Sequence, residues 1–201
     1  NKGKVLDKAI VWQDRRTAKY CEELKAKGLE KIITEKTGLL LDPYFSASKA
    51  RWLINKHKVD PKKYFFGTID TFLVWKLTQG KAFKTDITNA SRTSLLNIDL
   101  GIWDEELLDI FELRGLNLPE VTKNALDFGT TKIFGGEIRI SGMAGDQQAS
   151  LIGQGCFSQG QVKSTFGTGC FLMANSGNER QNSSNRLLST VGYQIKDICY
   201  A

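Results

Sequence analysis

The sequence predicts an α/β protein, on three observations. Segments that alternate as strands do take turns with segments whose apolar residues recur at helical spacing. One unit is explicit: residues 137–141 (EIRIS) alternate, run through the small-residue turn 142–145 (GMAG), and enter a helix over residues 147–153. Finally, 201 residues at 41% hydrophobic and 25% charged can bury the core of one large domain, or of one and a fraction.

Taken in order, residues 1–8 look like the end of a hairpin loop. They lead into a strand over residues 9–13, and the chain, beginning with Asn1, looks cut at its start. Asp14-Arg15-Arg16-Thr17 opens a helix that runs to about Lys27 and stops at Gly28. A second helix over residues 29–36 ends at Thr37-Gly38. Residues 39–44 (LLLDPY) are extended, because the residue before a proline avoids the helical region. Ser46 is placed to cap the next helix, whose Ala47, Ala50, Leu53, Ile54 and His57 recur at helical spacing. His57, the only histidine, falls at that helix's tail, where a surface or capping role suits it. Residues 65–69 lead into a helix whose Phe72, Leu73, Trp75 and Leu77 are expected in the core. The stretch 85–94 (TDITNASRTS) is rich in hydroxyls, but its residue types by themselves name no catalyst. Asp104 caps an amphipathic helix over residues 105–113, with Leu107, Leu108, Ile110 and Phe111 inward.

Two glycine devices carry candidate chemistry. Asp146 sits where the turn meets the helix. A carboxylate there is either a plain N-cap or, pointing out of the sheet's end at the positive pole of the helix dipole, a base. Farther on, residues 162–166 and 171–174 look like strands, and Gly167-Thr168-Gly169 between them is a tight hairpin. Its bare N–H groups and the Thr168 hydroxyl suit a phosphate, although most Gly-X-Gly turns hold nothing. An acid turn and a phosphate-ready hairpin this close together suggest phosphoryl transfer, one end orienting a hydroxyl and the other holding the nucleotide.

The strings AIVWQDRRT, TGLLLDPYFSASKARWL, FGTIDTFLVWKLTQG, TDITNASRTSLLNI, SGMAGDQQASLIGQG and STFGTGCF resemble, in order and at similar spacing, the sugar-kinase family that includes the glycerol kinases. The likeness runs from about Ala9 to about Asn175, and WQDRRT, DPYFSASK and GDQQA resemble glycerol kinases rather than pentose kinases. The resemblance implies a ribonuclease H-like (actin-like ATPase) fold, in which two such domains close over a cleft. On that expectation the chain is incomplete: residues 1–153 are the later part of the N-terminal, substrate-binding kinase domain, and residues 154–201 the first strands of a truncated C-terminal, nucleotide-binding domain. An upstream Arg-Glu-Thr string, a first phosphate hairpin and the downstream adenine site are expected in the family and are absent here.

The resemblance also implies site residues. Trp12 packs against the glycerol carbons and Tyr44 meets a glycerol hydroxyl, whereas by residue type alone they are a core tryptophan and a packed loop tyrosine. Asp146 orients or deprotonates the attacking hydroxyl, Gln147 and Phe171 line glycerol, and Gly167, Thr168 and Gly169 face the phosphates of ATP. Mg2+ accompanies ATP, with a position near Asp146 conceivable but no metal ligand named. The expected activity is ATP-dependent phosphorylation of glycerol to glycerol 3-phosphate, with turnover needing the missing parts. A noncatalytic remnant or scaffold of the fold, and a kinase for another small polyol or sugar, are the alternatives.

Composition excludes other classes. The 28 basic and 22 acidic residues give a net charge of +6, but the lysines are interspersed with glutamates along residues 19–36 rather than gathered into a stripe, which argues against nucleic acid. No apolar run is long enough for a membrane span and no leader opens the chain, so a cytoplasmic location is expected. Cys21, Cys156, Cys170 and Cys199 show no metal or disulfide spacing. The expected partners are glycerol and ATP. A homo-oligomer or a complementing kinase fragment is a further expectation, since an incomplete sheet leaves unpaired edges.

Overall fold

The structure, a computed structural model, describes residues 3–201; Asn1 and Lys2, within the expected opening loop, lie outside the described residues. Three helices come first: α1 (Ala18–Ala26), α2 (Glu30–Thr37) and α3 (Ser46–His57). They bury Cys21 and Leu24, Ile33, and Ala47, Ala50 and Ile54 against Leu95, Leu107, Leu108, Phe111 and Leu113 of the later chain. Burial of a Leu- or Ile-sized side chain contributes roughly 1.5–3 kcal/mol, so this cluster is the main source of stability for the first half.

Gly38 ends α2 in the left-handed region at φ 71°. A Cβ there would lie within 3.0 Å of the Ile98 side chain and collide with the backbone of Ser189, whose N–H donates to the Gly38 carbonyl at 2.9 Å. Glycine at this position therefore both stops the helix and lets the distant segment that leads into the strand at Val191 dock.

After α4 (Ile69–Leu77), the strand β1 (Lys84–Asp86) pairs in parallel with β4 (Glu120–Thr122). A parallel pair needs a crossover, and here it contains the short helix α5 (Ile87–Ala90), the hairpin β2 (Leu96–Asn97)/β3 (Ile102–Trp103) and α6 (Glu105–Ile110). Asp104 caps α6 as expected, accepting from the N–H groups of Glu106 at 3.0 Å and Leu107 at 3.1 Å. The chain continues through β5 (Thr130–Thr131) and β6 (Ile138–Arg139) into α7 (Asp146–Gly153). It ends in two antiparallel pairs, β7 (Val162–Phe166) with β8 (Cys170–Ala174), and β9 (Val191–Gln194) with β10 (Ile198–Tyr200). Val191 and Tyr200 close a second core with Ile87, Ala90, Leu96 and Ile98, which joins the last strands to the α5 region.

Four expectations need correction. Residues 9–13 are irregular instead of a strand, held only by local turns and side chains, because no neighbouring strand offers a ladder. Ser46 is the first helical residue of α3, with Phe45 at the cap position and no side-chain capping bond. On α4 the buried residues are Thr71 and Val74, while Phe72 and Leu73 are 40% and 50% exposed. With apolar residues all round this helix, periodicity had no polar face to orient it. The alternating stretch before the acid turn pairs over only two residues, Ile138 and Arg139.

Cys21, Cys156 and Cys199 are buried and Cys170 is exposed. His57 closes α3, with Nε2 2.8 Å from the Asp7 carboxylate. Among the described residues no helix is long and apolar enough to cross a membrane.

Candidate active site

The acid turn forms, with one change of detail. Gly145 occupies the cap position of α7, and Asp146 is the first helical residue, exposed, with its Oδ1 accepting from the Gln147 N–H at 2.8 Å. The plain N-cap reading of Asp146 is thereby corrected: its second carboxylate oxygen stays clear of the backbone, with only the Gln147 amide nitrogen at 3.4 Å. Gln147 is fixed from the other side. Its Oε1 accepts from the ammonium of Lys163, which is 2% exposed and also donates to Thr165 Oγ1 at 2.9 Å. Burial pushes the Lys163 pKa down, and the nearby Asp146 charge opposes that shift. With Oε1 committed to an ammonium, the Gln147 amide group is left facing Asp146.

The aromatic residues converge from three separate segments. Trp12 lies 5.6 Å from Tyr44 and 6.2 Å from Phe171 between ring centroids, the second contact edge-to-face. These distances fall within the range in which aromatic pairs attract beyond their area of contact. Trp12 remains 46% exposed, so the cluster presents an indole face to solvent. Tyr44 is placed by an Asx turn, its N–H donating to Asp42 Oδ1 at 2.8 Å just before α3.

The hairpin between β7 and β8 closes with the Gly167 N–H donating to the Gly169 carbonyl at 3.0 Å. Gly167 and Thr168 are exposed at its tip. Phe171 is the second residue of β8, and a Cβ on Gly169 would come within 3.0 Å of the Phe171 ring. Hairpin tip and aromatic cluster are thus coupled through one strand.

Sequence reasoning missed Arg92. Its guanidinium stands 5.6 Å over the Tyr44 ring and 5.0 Å over the Phe45 ring, in the cation–π range. Burial pushes its pKa down, with Tyr44 and the Asp146 charge opposing. The one available signal was a lone arginine inside the hydroxyl-rich stretch 85–94. Lys49 was missed as well; its ammonium reaches the carbonyls of Val11, Tyr44 and Trp12. Among the described residues no group of three or more His, Cys, Asp or Glu side chains is arranged to hold a metal ion. What the arrangement offers instead is an aromatic wall, an exposed carboxylate with one oxygen clear of the backbone, an oriented amide and a glycine hairpin with an exposed hydroxyl.

Residues 1–153 match the model of the FGGY family of carbohydrate kinases, N-terminal domain, and the chain belongs to that family. Its fold is the actin-like ATPase fold of sugar kinases, here in part. More particularly, it is 54% identical over 200 residues to a glycerol kinase of Sinorhizobium fredii and 52% identical over 200 residues to glycerol kinase 1 of Pseudomonas aeruginosa. Each alignment covers 96% of this chain and 40% of the relative, so the chain spans two fifths of the length of these curated relatives. The crystal structure of Plasmodium falciparum glycerol kinase with ADP superposes with a TM-score of 0.92 at 39% identity, over 98% of this chain and 42% of that one. A xylulose kinase from Brucella ovis superposes at 0.83 with 22% identity over 98% of this chain and 41% of that one, a likeness of fold.

Proposed function

We propose that this chain carries the polyol-binding part of a glycerol kinase, and that the reaction it serves is transfer of the γ-phosphoryl group of ATP to glycerol, giving glycerol 3-phosphate. The observation that carries the proposal is the convergence of Tyr44 and Phe171 on Trp12, in a chain more than half identical to a named glycerol kinase. The aromatic faces cover the carbon skeleton of glycerol, the Tyr44 hydroxyl and the Gln147 amide bond its hydroxyls, and Asp146 accepts the proton of the attacking hydroxyl. Asp146 suits that work because one oxygen is unengaged by the backbone and no buried partner consumes it.

ATP enters as its magnesium complex, a co-substrate whose metal shields the phosphate charge. On this proposal the hairpin tip of Gly167, Thr168 and Gly169 faces its phosphates, the exposed Thr168 hydroxyl turned toward them while the Gly167 N–H closes the turn on the Gly169 carbonyl. Positioning and electrostatics dominate phosphoryl transfer, so the 201 residues by themselves are expected to bind glycerol without measurable turnover. In this scheme residues 1–153 serve the substrate and residues 154–201 begin the nucleotide-binding domain.

Thermal unfolding with and without millimolar glycerol is the test, since a ligand that prefers the folded state raises the midpoint. The midpoint is expected to rise with glycerol and not with a pentose, and Asp146→Asn is expected to abolish the rise. An unshifted wild-type midpoint would favour a noncatalytic remnant of the fold. A larger shift with another polyol would redirect the assignment within the family.

A further inference from the structure

Asp86 is completely buried, and among the described residues no cation pairs with it. Its carboxylate is satisfied by neutral donors alone. Oδ1 accepts from the Asn89 amide at 2.6 Å. Oδ2 accepts from the Thr88 N–H at 2.8 Å, from the Thr88 hydroxyl, and from the Asn124 amide at 2.7 Å. Burial pushes the Asp86 pKa up, the Asp70 charge adds to that, and the Thr88 and Asn89 donors oppose the shift. A charge kept in such a place is expensive unless its partners are all present.

Two of the groups bonded to Oδ2 reach on to the same short turn. The Thr88 hydroxyl gives its proton to Asp86, so its oxygen is free to accept, and it takes the Gly145 N–H at 2.9 Å. The Asn124 amide also donates to the Met143 carbonyl at 2.9 Å, and the Asn124 carbonyl accepts from the Met143 N–H at 3.0 Å. Asn124 is itself locked to β9, where its Oδ1 accepts from the Gln194 N–H at 2.6 Å. Residues 143–145 are thus gripped at both ends by side chains that share one carboxylate oxygen, and the next residue is Asp146.

We infer that Asp86, acting through Thr88 and Asn124, is a positioning residue that sets where α7 begins and therefore where the Asp146 carboxylate stands. The value of this for function rests on the proposed role of Asp146, but the mechanical relation does not depend on it. Deletion of the Thr88 hydroxyl removes the acceptor of the Gly145 N–H at the helix entrance and leaves Asp86 short of one donor. Small errors of placement at a reacting group are costly, because productive geometry is narrow.

The experiment uses the 201-residue chain with Thr88→Val, Thr88→Ser and Asp86→Asn, followed by amide hydrogen exchange resolved at Met143 and Gly145 and by the glycerol-dependent midpoint. Thr88→Val should speed exchange at Gly145 at least tenfold, with α3 amides unchanged, and should remove the glycerol shift. Thr88→Ser, which restores hydroxyl and acceptor, should return both to the wild-type values. Unchanged Gly145 exchange in Thr88→Val would overturn the inference, and so would loosening in Thr88→Ser equal to that in Thr88→Val. If Asp86→Asn fails to fold, the Thr88 pair still decides. If wild type shows no glycerol shift, the polyol-site proposal fails, while the exchange comparison continues to decide whether this network holds the acid turn.

Discussion

The Lys49 ammonium lies 2.7 Å from the carbonyl oxygen of Val11, and the same nitrogen bonds the carbonyls of Tyr44 at 3.2 Å and Trp12 at 3.5 Å. One buried cation on α3 thereby ties together the two backbone segments that carry the facing indole and phenol rings. Burial pushes its pKa down, and Asp14 and Asp42 hold it up from a distance. Hydrogen bonds to a charged group contribute about 1.5–3 kcal/mol each. Lys49→Met fills the same volume but leaves the carbonyls without a donor. Glycerol affinity, measured by titration calorimetry, is expected to fall on the order of tenfold, and an unchanged affinity would separate the lysine from the aromatic cluster.

Gly169 stands against the ring of Phe171, where an added Cβ would come within 3.0 Å. Gly169→Ala should turn the ring and reduce glycerol protection several-fold. The unliganded midpoint should move by no more than about 2 °C, since the residue lies at a solvent-facing hairpin where substitutions shift stability little. Differential scanning fluorimetry across a glycerol series reads both quantities, and a large loss of unliganded stability would contradict this account.

At the α6 entrance, Asp104 accepts from two backbone N–H groups and from Lys36 Nζ at 2.7 Å and 2.9 Å. Asp104→Ala should cost about 1–2 kcal/mol, the range for loss of a helix cap. At roughly 2–4 °C per kcal/mol for a chain of this size, the midpoint should drop by about 2–8 °C. Asp104→Asn, which keeps an acceptor for the cap, should recover part of the loss; equal midpoints for the two variants would argue against capping.

Asp14 is held well below its ordinary 3.8, at about 2, by the side-chain and backbone N–H groups of Arg16. A carboxylate with a depressed folded-state pKa adds stability above its unfolded value and loses it as pH falls through the folded value. The stability from this group should therefore be complete above about pH 4 and decline toward pH 2. Unfolding midpoints of wild type and Asp14→Asn should converge as pH falls across that window, and parallel curves would assign acid sensitivity to other groups.

Arg92 provides the sharpest discrimination between packing and electrostatics. Arg92→Met retains apolar contact with Tyr44 and Phe45 but removes the cation facing Asp146. If the cation is used in the site, glycerol protection should fall while the unliganded midpoint holds or rises, because a partly buried charge whose desolvation opposes it is removed. A fall in both together would make Arg92 a packing residue.

Much was legible from residue types and spacing, and the reason is locality. The GMAGDQQ turn into α7, the GTG hairpin and the Asp104 cap are each specified within a few residues by small turn residues or side-chain capping, and each forms where it was read, with Gly145 in place of Asp146 at the α7 cap. The order of α1, α2 and α3 followed from apolar periodicity and stop signals for the same reason. The failures were also physical. Residues 9–13 have strand composition but no partner strand, and a strand exists only through its neighbour. Helix α4 is apolar on every side, so its inward face is chosen by what packs on it.

The sequence by itself determined the local devices, the α/β alternation and the strings that mark the kinase family, because those depend on covalent neighbours and short-range sterics. Only the tertiary structure decided that Trp12, Tyr44 and Phe171 meet, that Lys49 bonds the backbone beneath two of them, and that Asp86 grips the turn before Asp146. Those relations join residues far apart in the chain, and what brings such residues together is burial of the shared cores and satisfaction of buried polar groups, neither of which any local window of sequence contains.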